Sequence, residues 1–431
     1  MPVNFFRSLT SLGPRYMALW VGQAVSHFGT YVAWVTLPFL VLDIQQQSGT
    51  ESTVDFALTY ALETAPTLLL GLIVGVLIDR WHLRPVMVAA DLLRASAFFY
   101  LAATYGSYGV GTVFVIAFLV GSFTTFFDGA LFALIPSLVP RRRLADANSF
   151  VAASQQFNFA VGALAGGLLA YLSGGPALGL YINGLSFVIS AVFLAWVGRV
   201  EHHRSAEDTR SSFLTEAMDG LRYIWAEPRL RVTTIAAAVP NFVMGFIEAT
   251  VVLLFYEILG ATNDAQIGIL VAAMGVGGII GALIAPQIIR TTGLGRTMTF
   301  GMVLTGLLLF AVMFTTFGAL PLALNVGWMI GVSLINVPLA TIRQHYADDN
   351  MLGRVTTVSR AIGWATLPLG ALVGGWLGES EDTLPLVARL FPALLIATAL
   401  WLLTTVVWKD TFGPNFEGRH SRQAESPAEA A

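Results

Sequence analysis

The sequence predicts an all-α polytopic membrane protein with twelve transmembrane helices in two pseudo-symmetric six-helix bundles. Charged residues form 11% of the 431-residue chain, whereas soluble proteins contain about 25%. Mean hydropathy is +0.72, and the runs 16–42, 147–198 and 297–342 carry no formal charge. About 20 apolar residues cross a bilayer core once, and about 50 cross it twice. The composition therefore excludes a soluble enzyme, a nucleic-acid-binding protein and a secreted disulfide scaffold.

Twelve apolar spans are separated by charges and by clusters of Gly, Pro and Ser, which interrupt helices. A spanning backbone must satisfy its own hydrogen bonds, so we predict that each span is a helix rather than a barrel strand. Numbered from the N-terminus, the spans cover residues 16–43, 54–78, 85–105, 109–138, 146–172, 178–199, 232–259, 265–289, 297–317, 320–345, 354–378 and 385–408.

One long hydrophilic segment divides the spans six and six. It predicts an N-terminal bundle at 1–200, a cytoplasmic central loop at 201–231, a C-terminal bundle at 232–408 and a cytoplasmic tail at 409–431. The polar composition of the tail indicates disorder. The halves also repeat, because Gly162-Ala-Leu-Ala-Gly-Gly in span 5 recurs as Gly370-Ala-Leu-Val-Gly-Gly in span 11. Such parallel repeats are typical of two-lobed transporters that rock around a central site.

The distribution of Lys and Arg predicts that both termini are cytoplasmic. With twelve spans, all 23 basic residues except Arg389 lie on or nearest the same side, which the positive-inside rule assigns to the cytoplasm. The first residues lack a cleavable signal peptide, so span 1 is expected to act as an uncleaved signal. The chain has no Cys, which excludes disulfides, Cys-type zinc sites and thiol catalysis.

A motif lies at the turn between spans 2 and 3: Gly75-Val-Leu-Ile-Asp79-Arg80-Trp-His-Leu-Arg84. It resembles the signature loop of the major facilitator superfamily, which has Gly, three residues, Asp-Arg and then Gly-Arg-Arg/Lys. His82 and a leucine replace the usual Gly and a basic residue. The resemblance implies a major facilitator fold over nearly the whole chain. It also implies a gate in which Asp79 pairs with Arg80, Arg84 and the positive N-terminal end of span 11. The alternative is that this loop only anchors the turn and holds the topology.

Span 5 resembles the Gly-Pro-x-x-Gly-Gly motif of exporters in that superfamily through Gly162, Gly166 and Gly167, with Ala163 in the Pro position. Small residues at this spacing also allow helices to pack closely. The run from Val139 to Asn148 and the span 1 pattern Trp-x-x-Gln-x-x-Ser-x-x-Gly resemble the branch that contains the enterobactin exporter and macrolide efflux proteins. An Asp commonly follows that Gly in the branch, whereas Thr30 stands here.

Placing an ionisable side chain inside a membrane span costs free energy, so such residues indicate a functional role. Glu63 and Glu248 each lie about 16 residues from a cytoplasmic edge, or about 24 Å at 1.5 Å per residue. A carboxyl group holds its proton in a dry site and releases it in water, so both are candidates for proton coupling. A bond to a neighbouring helix is the alternative for both glutamates.

Asp128 is expected to extend the gate network or to carry protons itself. Asp91 and Arg94 are expected to pair on one helix face.

By the same resemblance, spans 1, 4, 7 and 10 line the substrate cavity, although many of their residues are also suited to packing. Mid-span Arg and Lys are missing from these four spans, which argues against a small anionic substrate. Their polar and aromatic members favour a hydrophobic or amphipathic ligand. The candidates are Gln23, Tyr31, Trp34, Thr124, Asn241, Tyr256, Asn325, Trp328 and Asn336. His27 is interpreted as a hydrogen-bonded packing residue.

Together these features predict a monomeric exporter of the bacterial inner membrane that moves a drug-like or siderophore-like molecule by proton antiport. Its predicted partners are the small-molecule substrate, protons and lipid. No Walker loop, metal-ligand spacing or catalytic grouping stands out, so we predict no cofactor, metal site or enzymatic activity. The alternatives are an importer or facilitator, a lipid flippase and, from another class, a membrane-embedded enzyme such as an acyltransferase.

Overall fold

The computed structural model describes residues 11–78, 81–140, 143–198, 213–348, 351–379 and 382–409. This part of the chain forms thirteen α-helices and no β-strand. A short π-helical turn at Leu254–Ile258 extends the eighth helix. In chain order the helices are α1 Pro14–Ser48, α2 Thr53–Ile78, α3 Leu83–Ala103, α4 Val110–Leu138, α5 Leu144–Ser173, α6 Ala177–Val197, α7 Phe213–Ala226, α8 Pro228–Leu253, α9 Asp264–Thr292, α10 Leu294–Val312, α11 Ala319–Tyr346, α12 Leu352–Leu377 and α13 Thr383–Leu402.

Twelve of these helices have 19 to 35 residues and confirm the predicted all-α membrane fold. Even 19 residues extend about 28 Å at 1.5 Å per residue, close to the thickness of a bilayer core. Ten of the twelve also have the apolar composition that membrane crossing requires. The other two, α2 and α12, are 26 residues long and pack against each other. Spans 1–6 correspond to α1–α6, and spans 7–12 correspond to α8–α13.

The predicted central loop contains a helix that the sequence analysis did not anticipate. Within 201–231 the structure forms the 14-residue helix α7, and α8 already begins at Pro228. Proline is favoured in the first turn of a helix, and the Glu227 side chain caps α8 by accepting a hydrogen bond from the Arg229 backbone N–H at 3.3 Å. Ile224 of α7 is fully buried against Val355 of α12. Residues 199–212 and the tail from 410 lie outside the described residues.

The helices pair in the same way in both halves of the chain. In the N-terminal lobe, formed by α1–α6, α1 packs against α5 and α6, α2 against α4, and α3 against α4 and α6. In the C-terminal lobe, formed by α8–α13, the equivalent helices repeat these pairs. The contacts between lobes repeat as well, because α5 packs against α9 and α2 against α12. The structure therefore has the two pseudo-symmetric bundles that the sequence repeat predicts.

The two lobes are joined at one end of the bundle, which we call the far end. It is the end at which α1 stops and α2 begins, opposite Pro14. At the far end a single apolar cluster contains residues of both lobes, including Phe39, Leu40, Phe255 and Ile267. At the opposite end, the clusters around Met87 and around Met298 each belong to one lobe. The described structure is thus closed at the far end.

Candidate functional site

A cavity of about 200 Å³ lies within the bundle, between α1, α2, α3, α4, α6 and α8. Most of its wall comes from the N-terminal lobe; of the described residues that line it, Glu248 and Ala249 belong to the C-terminal lobe. Aromatic rings supply much of the apolar surface: Trp34, Phe56, Tyr60, Phe98, Phe127 and Phe187. Its ionisable residues are His27, Glu63, Arg94, Asp128 and Glu248, with Tyr60 beside them.

Glu63 and Glu248 come from different lobes but line the same cavity. The hydroxyl of Tyr60, one turn before Glu63 on α2, donates a hydrogen bond to Oε2 of Glu248 on α8. The side chains of Glu63 and Glu248 line this cavity together and interact electrostatically. Gly121 helps to place Glu63, since a Cβ atom there would collide with the Glu63 carbonyl. Only a glycine allows α4 to approach α2 so closely at this level.

Arg94 places a positive charge in the cavity wall. Its Nη2 lies 2.5 Å from Oδ1 of Asp91, the pairing that the sequence predicts. Its guanidinium is also sandwiched between Phe127 and Phe187, at 4.4 and 4.3 Å from the ring centroids. The Arg94 Nε has no hydrogen-bond partner among the described residues. The sequence analysis considered only spans 1, 4, 7 and 10 and assigned Arg94 to its ion pair. The expectation of a cavity without Arg or Lys was wrong, because α3 also lines the cavity and contributes Arg94.

The α4 wall presents two of the predicted residues to Arg94. Thr124 Oγ1 accepts a 3.4 Å hydrogen bond from Arg94 Nη1. Asp128, one turn further along α4, lines the cavity and experiences the positive charge of Arg94. On α1, the Nε2 atom of His27 lies 3.3 Å from Nε2 of Gln155 on α5. The α4 wall thus places Thr124 and Asp128 in the same cavity as Arg94.

The nine predicted substrate residues separate into three groups. Gln23, Trp34 and Thr124 line the main cavity. Gln23 is 3% exposed, and its amide nitrogen has no hydrogen-bond partner among the described residues, so it is a free donor for a ligand. A second pocket, about 40 Å³ in volume, lies in the C-terminal lobe and is lined by Asn241, Trp328 and Asn336.

The remaining three substrate candidates are not among the residues that line either pocket, and they make structural contacts. Tyr31 packs edge-on against Phe159, with ring centroids 5.2 Å apart. Tyr256 donates a hydrogen bond to Asp264 at the start of α9. Asn325 is buried and accepts a 2.8 Å hydrogen bond from the indole nitrogen of Trp328.

The predicted gate motif is only partly within the described structure. Asp79 and Arg80 lie outside the described residues, and Gly75 lies in the last turn of α2. Arg84, at the start of α3, donates hydrogen bonds to the backbone carbonyls of Leu194 and Ala195 at 3.1 and 2.8 Å. These carbonyls belong to the last turn of α6, which lacks intrahelical donors. Arg84 therefore caps α6 and fixes it to α3.

The glycines of the exporter-like motif pack in two directions. A Cβ atom at Gly162 or Gly166 would approach the α1 backbone, at 2.9 Å from the Phe28 carbonyl and 2.7 Å from the Val32 carbonyl. A Cβ atom at Gly167 would lie 2.7 Å from the Cα of Gly268 on α9. The motif joins α5 to α1 within one lobe and to α9 across the lobe interface.

Comparisons with known proteins agree with this architecture. The family model described as Major Facilitator Superfamily matches residues 19–371. The multidrug efflux pump Tap of Mycolicibacterium fortuitum is 28% identical over 390 residues, which are 86% of this chain and 90% of that protein. The enterobactin exporter EntS of Salmonella choleraesuis is 26% identical over 380 residues, covering 86% and 87%. Among solved structures, a variant of the nucleoside transporter NupG superposes with a TM-score of 0.75 at 12% identity, covering 90% and 99%.

Proposed function

Since the chain belongs to the Major Facilitator Superfamily, we propose that this transporter exports a small amphipathic molecule across the bacterial inner membrane in exchange for protons. The family and the full-length likeness to transporters make it a multi-pass membrane transporter rather than an enzyme. Transport proceeds by alternating access, in which two lobes rock around a site near the middle of the bilayer.

The observation that carries proton coupling is the meeting of Glu63 and Glu248 at one cavity from opposite lobes. A coupling group must bind a proton when it faces one side of the membrane and release it when it faces the other. Rocking of the lobes changes the hydration of this cavity, and a carboxyl group loses its proton more readily in water than in a dry site. Glu63 and Glu248 therefore meet the chemical requirement for coupling.

Export and the substrate class are inferred from two further features. The relatives above are described as a multidrug efflux pump and an enterobactin exporter, and each is matched over most of its length. The cavity combines aromatic walls with a few polar groups, among them Gln23 and Thr124. Cavities of this kind suit a ligand that is mostly apolar with a few hydrogen-bonding groups. A drug-like or siderophore-like molecule has this character.

The closed far end indicates the side of the membrane from which the described state receives substrate. We propose that both termini are cytoplasmic, as the positive-inside rule indicates. The far end then faces the periplasm, and the structure represents the inward-facing state that receives substrate from the cytoplasm.

The test is proton-driven transport of ethidium in proteoliposomes with an imposed pH gradient, after ethidium efflux has been shown in cells with and without a protonophore. We expect Glu63→Gln and Glu248→Gln, assayed separately, to include one variant that loses uphill accumulation but retains downhill exchange. Asp55→Asn is a matched control, since Asp55 is a carboxylate on α2 that bonds Gln45 away from the cavity. If both glutamate variants keep full proton-driven accumulation, neither residue is the coupling site.

A further inference from the structure

One face of α2 forms a continuous seam with the C-terminal lobe. Residues 53, 57 and 60 follow the spacing of a single helix face. The hydroxyl of Thr53 donates to the Gly378 carbonyl at 2.9 Å, and the fully buried Ala57 packs with two alanines of the other lobe. Tyr60 continues the seam by donating to Glu248. Because Tyr60 and Glu248 also line the cavity, their bond closes the seam where a ligand would touch it.

The strength of this hydrogen bond depends on whether Glu248 carries a proton and on whether a substrate occupies the cavity. An ionised carboxylate is a strong acceptor, and charge-assisted hydrogen bonds are roughly twice as strong as neutral ones. A proton on Glu248 removes that charge, and a substrate in the cavity competes directly with the Tyr60 hydroxyl. The bond is therefore strongest when the carrier holds neither proton nor substrate.

Coupled antiport requires that the empty carrier does not change its facing direction. If it did, protons would enter on one half-cycle and the empty carrier would return without substrate, which is a proton leak. Resting on the proposed function, we propose that the Tyr60–Glu248 hydrogen bond locks the far end of the empty carrier and so prevents this leak. Tyr60 is thus a positioning residue for coupling that the sequence motifs did not assign.

Other ionisable groups surround Glu248 and share in any pH response. Glu63 and Tyr60 on α2 and Tyr31 on α1 interact with it electrostatically. The cavity lining contains three more: His27, Arg94 and Asp128. Only Tyr60 among the described residues is hydrogen-bonded to the Glu248 carboxylate across the seam. Removing its hydroxyl therefore tests this hydrogen bond while the other ionisable groups stay in place.

The first experiment needs no substrate. Proteoliposomes containing trapped pyranine and a valinomycin-imposed potential report proton entry. We expect low flux for the wild type and an increase of roughly tenfold or more for Tyr60→Phe, which loses one hydrogen bond to a charged acceptor. Tyr105→Phe is the matched control, because Tyr105 donates to the Asp43 carboxylate at 2.5 Å within one lobe. Burial, and then the bond to Asp43, raise the pKa of Tyr105 above its usual value, so its hydroxyl remains a donor.

The second experiment follows the far end directly. The chain has no Cys, so Thr59→Cys, in the cavity wall beside Tyr60, provides a single site for a membrane-impermeant maleimide added at the far side. Labelling should increase as the pH falls, and Tyr60→Phe should label quickly at every pH. If the wild type is proton-tight and Tyr60→Phe is equally tight with unchanged labelling, the lock is overturned while antiport stands. If the wild type itself leaks protons without substrate, both the lock and coupled antiport fail.

Discussion

Arg94, in the cavity wall, forms a buried ion pair with Asp91, with 2.5 Å between Nη2 and Oδ1. Arg94 is 5% exposed and Asp91 is fully buried. Removing one partner of a buried pair leaves the other charge without compensation, which costs about 3–5 kcal/mol. Both residues lie on α3, so the pair compensates the two charges within that helix and fixes Arg94, the only arginine or lysine among the described residues that line the cavity.

We predict that Asp91→Asn lowers the free energy of unfolding by about 3–5 kcal/mol because it leaves the Arg94 charge unpaired. Thermal unfolding in detergent, followed by Trp fluorescence, measures the loss. Arg222→Gln is the control, since Arg222 and Asp219 are exposed and 3.8 Å apart, and exposed pairs contribute about 1 kcal/mol or less. Equal stability losses for Asp91→Asn and Arg222→Gln would contradict the structural role of the pair.

The sequence predicted the fold well because membrane crossing depends on composition and charge, which are local properties. The prediction that all basic residues except Arg389 lie on or nearest one side supported the even span count. The pair of Asp91 and Arg94 also followed from helical spacing. The helix in the central loop was missed because the prediction rested on hydropathy alone.

The arrangement of the cavity was harder to predict, since it depends on how each helix is rotated. In a bilayer, lipid-facing and core-facing surfaces are both apolar, so hydropathy does not show that Arg94 turns inward. The bond between Tyr60 and Glu248 joins residues 188 positions apart, on helices of different lobes, and no local pattern encodes it. For the same reason Tyr31 and Asn325 were included as cavity residues although neither lines a pocket.

A small substitution in the α5–α9 seam should open the far end. A Cβ atom at Gly167 would lie 2.7 Å from both Cα and N of Gly268, and backbone atoms cannot yield without separating the lobes. Overpacking costs about 1–3 kcal/mol, which corresponds to roughly fivefold or more in an equilibrium. We therefore predict that Gly167→Ala raises far-side maleimide labelling of a Thr59→Cys protein by roughly that factor.

The control for this substitution is Gly111→Ala, because a Cβ atom at Gly111 would meet nothing within 4 Å. Unchanged labelling in Gly167→Ala, with Gly111→Ala also unchanged, would show that the seam does not set the closed state.

Membrane orientation can be tested independently of transport. We predict that reporters fused after Phe416 and within 201–231 report a cytoplasmic location, and that one within 44–53 reports a periplasmic location. The reason is that all 23 basic residues except Arg389 lie on or nearest one side. Alkaline phosphatase and green fluorescent protein fusions give opposite signals on the two sides. A periplasmic signal from the central segment would overturn both the orientation and the inward-facing assignment.

The proposed gate at the turn between α2 and α3 provides the last prediction. The motif predicts that Asp79 lies at the membrane edge, and it is close in sequence to Arg84, which caps α6 through two backbone carbonyls. A carboxylate there can pair with a cation or helix N-terminus of the other lobe in one state and lose that partner in the other. Asp79→Asn removes the charge and keeps the shape of the side chain. The variant should therefore no longer control the interconversion between the two states of the transporter.

We expect Asp79→Asn to lower proton-driven ethidium export by roughly tenfold or more, the effect of losing one hydrogen-bonded charge, while expression and fusion-reporter topology stay normal. Asp146→Asn is the matched control, since Asp146 lies in the first turn of α5 and forms a partly exposed 3.1 Å pair with Arg143, which contributes little. Export by Asp79→Asn at the wild-type rate would show that the loop only anchors the turn. Equal losses in Asp79→Asn and Asp146→Asn would point instead to surface charge at the turns, because only Asp79 belongs to the gate motif.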